Sequence, residues 1–142
     1  ELDSPTISLT DLLLGKLQIV FFSEKDLKDA LLLFRAHTLS EGQAPEAIDA
    51  RYIALLLAKD WGFWYTATTN LKGLRNAVSE MSALNEAEKG DVTSKIDKLL
   101  EVIGKEPKSP GWKARSIIGA RKRWYNPVET AQTVGEFGIW KL

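Results

Sequence analysis

The chain has no cysteine, one histidine and one methionine among its 142 residues. Without thiols it can form neither a disulfide nor a thiolate metal site. A single imidazole, His37, also leaves no ligand set for tetrahedral zinc and no Ser–His or Cys–His nucleophilic arrangement. Its place after an apolar stretch gives it a structural role at a helix end, where positive charge suits the dipole. Charge of one sign is missing as well. With 19 basic and 19 acidic residues, no global field draws the chain to nucleic acid or a membrane, so any such surface must be local. Long apolar runs are absent too. The longest, around Leu12 to Phe22, is broken by Lys16 and Gln18 and is too short to span a bilayer, so no membrane partner is expected. The lack of cysteine fits a reducing, cytoplasmic setting.

What is present is enough apolar material, 44% against 27% charged, for one core. The pattern predicts an all-α bundle of five or six helices over residues 1–142, with a short extended tail at 128–142. A first helix carries Lys16. Leu12, Leu13, Ile19 and Val20 share the stripe of Lys16, and Leu14, Leu17 and Phe21 make the opposite stripe apolar, so this helix is expected to be buried all round. Ser23 caps a second helix with Leu27, Ala30, Leu31 and Phe34 on its core face. Pro45 opens a third, with Ile48, Tyr52, Leu55 and Leu56 inward. A fourth spans 61–84, bent at Gly62, with Trp64, Thr68, Leu71, Leu74, Val78 and Met81 on its stripe. Asn85 and Glu88 begin a fifth, whose Val92, Ile96, Leu99 and Ile103 form its core face until Gly104. Ser109 and Pro110 open a sixth that runs to Asn126-Pro127 with Ala114, Ile117 and Ile118 inward.

The chemistry concentrates near the N-terminal end. An ammonium on an apolar helix needs a carboxylate, a phosphate or a snorkelling route to water. Asp26 and Asp29, one helical step apart on the next helix, are the nearest carboxylates in sequence. Each residue also has a plainer role. Lys16 can snorkel, Asp26 is placed to complete the cap at Ser23, and Lys25 with Asp29 can form an exposed i, i+4 pair worth about 0.3–0.5 kcal/mol. Gly15 lacks the companion glycines of a phosphate-cradling loop.

The run Asp11-Leu-Leu-Leu-Gly-Lys16-Leu, followed by Lys25-Asp26-Leu-Lys-Asp29, resembles the last two motifs of AbiEii-type nucleotidyltransferases, relatives of the DNA polymerase β superfamily. The likeness extends through Ile48-Asp-Ala-Arg-Tyr-Ile and Asp60-Trp-Gly-Phe-Trp and covers the first half of the chain. It implies that this chain is the C-terminal helical part of a longer protein, whose N-terminal half holds paired metal-binding carboxylates on a strand. It implies catalytic roles for Lys16, Asp29 and Asp26, with Lys16 and Lys25 at the nucleotide. Lys16 would contact the phosphates, while Asp29 with Asp26 would orient it or border the acceptor site. Mg2+ and a nucleoside triphosphate belong to the complete protein, and the acceptor is a protein, a tRNA or a small molecule. This chain alone would hold no metal and would be inactive.

A second functional candidate lies in the sixth helix. Lys113, Arg115, Arg121, Lys122 and Arg123 concentrate basic charge between Trp112 and Trp124, a pattern suited to phosphate contacts and base stacking. An ordinary solvated face, balanced by Glu80, Glu86, Glu88 and Asp91, is the favoured explanation. The alternative function is therefore a non-enzymatic helical module that binds RNA or a protein partner.

Overall fold

The computed structural model describes residues 8–42, 44 and 46–124. Along them run α1 (Leu9–Leu17), α2 (Glu24–Ala36), β1 (Thr38–Ser40), β2 (Ala47–Asp49), α3 (Ala50–Leu57), α4 (Trp61–Ser79), α5 (Glu86–Lys105) and α6 (Pro110–Ile118), closed by a 3-10 turn at Gly119–Arg121. The expected all-α bundle is present, with one small addition, a parallel pairing of β1 and β2 in which Leu39 faces Ile48. The role of Pro45 and the extended tail lie outside the described residues.

Local sequence explains where the helices start. Ser8, Ser23, Asp49, Asp60, Asn85 and Ser109 each accept the backbone N–H three residues on, at 2.8–3.1 Å. Such caps satisfy otherwise orphaned donors and contribute about 1 kcal/mol each. At Ser23 and Asn85 the reply is also made, because Asp26 and Glu88 accept the cap residue's own N–H.

Side-chain contacts to backbone carbonyls decide where several helices end, two of them from distant helices and one local. At α2, the Lys95 ammonium from α5 donates to the carbonyls of Phe34 and His37 at 2.7 and 2.9 Å and pairs with Asp91 at 3.1 Å. At α1, the Asn70 amide from α4 donates to Leu17 and Ile19. At α6, Gly119 takes φ +67, and the Arg115 guanidinium donates to the Gly119 and Lys122 carbonyls.

The core gathers around α5, which packs on α2, α3 and α4. Its Val92, Ile96, Leu99 and Ile103 are essentially solvent-free, as the stripe predicts, and meet Leu71, Leu74 and Val78 of α4 in one cluster.

Four expectations change. First, α1 ends at Leu17, so Ile19 and Val20 follow the helix, while Leu12 and Phe21 are about half exposed. The lysine helix is therefore one-sided, buried through Leu13, Leu14 and Leu17. Second, Ile48 belongs to β2, and α3 begins only at Ala50, so its inward face is Ala50, Ile53, Ala54 and Leu57. Tyr52 and Leu55 face out. Third, α4 stops at Ser79 rather than 84, and Gly62 sits in its first turn against the Trp124 side chain. Fourth, α6 stops at Ile118 and buries no residue: Ile117 is 79% exposed, and Ile118 and Ala114 are exposed too. It packs through aromatic rings instead. Trp112 meets Trp64 edge-on at 5.1 Å, and Arg115 lies over Trp61 at 4.7 Å.

Candidate functional site

The last turn of α1 and the first turns of α2 meet at one corner of the bundle. The capping box at Ser23 fixes the start of α2 and orients Asp26, whose Oδ2 accepts from the Ser23 backbone N–H at 3.1 Å and its hydroxyl at 2.8 Å. The other oxygen, Oδ1, stays available and accepts from Lys16 Nζ at 3.3 Å. One turn later on the same face, Asp29 Oδ2 lies 2.9 Å from Lys16 Nζ and 3.1 Å from Lys25 Nζ. Lys16, Asp26, Asp29 and Lys25, nominated from sequence, thus form one cluster, with two ammonium groups converging on a single carboxylate oxygen. Side-chain exposure is 30% for Lys16, 14% for Asp26 and 34% for Asp29, so the lysine is neither sealed in the core nor loose in solvent.

The electrostatics fix protonation states. Partial burial pulls the Lys16 ammonium down, but hydrogen bonding and charge from Asp29 and Asp26 outweigh it and hold its pKa above the ordinary 10.5. Asp29 is held below the ordinary 3.8, chiefly by hydrogen bonding to Lys16 and then to Lys25. Asp29 is therefore an acceptor at neutral pH and a poor proton abstractor, because a general base works best with a pKa near the working pH. Lys16 stays charged, which suits it to attract an anion rather than to act as a nucleophile. Two ammonium groups and two carboxylates cancel formally, so an incoming phosphate would gain only by drawing the lysines off Asp29. Among the described residues, no group of His, Cys, Asp or Glu is arranged to hold a metal ion.

The basic residues of the sixth helix fare differently. Arg115 is turned inward onto Trp61 and two backbone carbonyls, and Arg121 donates to the carbonyls of Ile118 and Ile117 at 3.2 and 3.4 Å. Lys113, Arg121, Lys122 and Arg123 are exposed, and only Arg115 is partly buried. The helix is thus not a continuous row of outward cations. His37 ends α2, its Nδ1 3.1 Å from the Glu46 carbonyl oxygen, in the structural role expected. A groove of about 740 Å3 lies at the opposite end of α1, lined by residues including Ser8, Asp11, Glu46 and Asp49, and does not reach Lys16.

Sequence reasoning missed Asn70, whose amide donates to the Leu17 and Ile19 carbonyls just after Lys16. The available signal was a lone amide among Ala67, Leu71 and Leu74 on the core stripe of α4.

No protein-family model, curated protein or solved structure matches this chain. The likeness to AbiEii-type nucleotidyltransferases therefore rests on the sequence runs themselves, from Asp11 to Trp64.

Proposed function

We propose that this chain is the helical portion of a nucleotidyltransferase-like protein, in which Lys16 offers its charge to the phosphates of a nucleoside triphosphate. One observation carries the reading. Two motifs separated by a loop, the lysine and the Lys-Asp-x-x-Asp sequence, converge so that Lys16 contacts both carboxylates at 2.9 and 3.3 Å while remaining partly open to solvent. Asp26 and Asp29 orient the lysine, and Lys25, on the same oxygen as Lys16, supplies a second charge to an arriving phosphate. A phosphate in so partly desolvated a corner is attracted more strongly than in water. In this reading Mg2+ would be held by carboxylates of an N-terminal half and not by these helices, and would supply Lewis-acid chemistry to the reaction.

The test is nucleotide transfer by the parent protein, using each labelled nucleoside triphosphate with magnesium and with tRNA or protein as acceptor. Lys16→Ala in the parent should lower turnover by about 10²–10³, the usual effect of removing one electrostatic stabiliser, with the fold retained. Residues 1–142 alone should transfer nothing. Full activity of the variant, or robust transfer by the isolated chain, would overturn the assignment.

A second reading, a non-enzymatic module that binds RNA or a protein, draws on α6, where Ile117 is 79% exposed beside basic residues. The inward commitment of Arg115 weighs against RNA, as does the engagement of Arg121 with the carbonyls that end its own helix. RNA binding is expected to be weak and unchanged by Arg121→Glu with Arg123→Glu; tight binding that falls steeply with salt and is lost in that double variant would favour the module.

A further inference from the structure

Asn70 lies on α4 within the core stripe and is 7% exposed. Its amide nitrogen donates to the Leu17 carbonyl at 2.9 Å and to the Ile19 carbonyl at 2.8 Å. The final carbonyls of a helix have no partner within it, and leaving one buried and bare costs about 1–3 kcal/mol. Both carbonyls belong to buried residues, Leu17 at 0% and Ile19 at 8% exposed, so water is a poor substitute for the amide. A leucine of similar size would fill the space and leave both oxygens unsatisfied.

This anchor adjoins the candidate site. Lys16 directly precedes Leu17, and the turn after it is closed by Ile19 N–H donating to the Lys16 carbonyl at 3.3 Å. At nine residues, α1 is too short to persist by propensity alone, so its end is placed by what it packs on. The ammonium sits on a flexible stem, and its two carboxylate contacts depend on where the backbone begins that reach. A shift of the α1 end along α2 would carry Lys16 out of reach of one partner.

We infer that Asn70 is a positioning residue for Lys16: by fastening the Leu17 and Ile19 carbonyls to α4, it sets the end of α1 where the ammonium reaches Asp26 and Asp29 together. The functional meaning of this role rests on the phosphate-contact reading of the cluster, but the anchoring itself does not.

The experiment is carbon-detected NMR titration of the Asp29 carboxyl in the full 142-residue chain. Asn70→Ser, which keeps one donor, is compared with Asn70→Ala, each in the wild-type and Lys16→Met backgrounds, with thermal melts confirming the fold. In the wild type Asp29 should titrate low. Asn70→Ser should move it up by about 0.5 pH unit or more, as a weakened ion pair would. In Lys16→Met, Asp29 should already be raised, and the Asn70 substitution should add nothing. An unmoved Asp29 in both Asn70 variants would overturn the inference, as would an equal shift without Lys16, since either result leaves Asn70 as a helix anchor only. No nucleotide enters these titrations. Failure of transfer by the parent would therefore refute the functional reading and leave the positioning result standing, and an unmoved Asp29 would do the reverse.

Discussion

Asp26 divides its carboxylate between two helices, Oδ2 closing the cap of α2 and Oδ1 receiving Lys16 from α1. Its neighbour Asp29 faces two lysines, and this asymmetry predicts how stability responds to pH. Because Asp29 ionises below its ordinary value when folded, its contribution is complete above 3.8 and is lost as pH falls through the folded value. Lys16 behaves in mirror image. Its folded value is raised, so its contribution is complete below 10.5 and disappears as pH rises through the folded value. With both groups about one-third exposed, each effect is small, about 1 kcal/mol at most. Urea melts of wild type and Asp29→Asn should therefore differ at pH 6 and converge below the folded Asp29 value. Wild type and Lys16→Met should differ at pH 6 and converge only in strong alkali. A difference that persisted at both extremes would mean that packing, not charge, holds this corner.

At the scale of elements, Gly62 tests how α4 receives the chain that follows α6. A Cβ built there would stand 2.9 Å from Trp124 Cβ and 3.0 Å from its Cδ1. Alanine improves helix propensity by up to about 1 kcal/mol, and less in a first turn such as this one. The overlap falls on the base of an indole that is hydrogen-bonded to Thr66 at 2.7 Å and packed edge-on against Trp61 and Tyr65, and overpacking of this kind costs about 1–3 kcal/mol. The clash should win. Gly62→Ala should lower the melting temperature and alter tryptophan fluorescence, whereas in a Trp124→Gly background, which also removes the Cβ that stands nearest, it should be neutral or stabilising.

The same elements show what was legible in sequence. Ser23 with Asp26 and Asn85 with Glu88 were readable because a capping box is complete within four residues, and the α5 stripe because a helix crossing the core repeats its contacts every turn. The pairing of Lys16 with Asp26 and Asp29 could be anticipated, since only a short loop separates them. The inward face of α3 was misread because Ile48, taken as its first core residue, is committed to a strand pairing with Leu39 that helical periodicity does not reveal. The face of α6 was misread because its contacts are set by Trp61 and Trp64 on another helix, so that Trp112 and Arg115 turn in while Ile117 turns out. Asn70 escaped notice for a similar reason, its partners lying 53 and 51 residues away.

Taken as a whole molecule, stability is unevenly distributed. Helix α5 touches three other helices with a fully buried stripe, whereas α6 buries no residue and leans chiefly on α4. Native-state hydrogen exchange should separate the two: amides around Ile96 and Leu99 should exchange only through global unfolding, and those of α6 through a cheaper local opening. Equal protection of both helices would show that the aromatic contacts bind α6 into the main cooperative unit. The position of α5 late in the chain also gives the fold a temporal order. The carbonyls of Phe34 and His37 find their ammonium partner only when Lys95 has been made, 61 and 58 residues later. At ribosomal rates of about 5–20 residues per second that is a wait of about 3–12 s. Through that interval the last turn of α2 has water where the lysine will be, so a helix synthesised early is finished by one synthesised late.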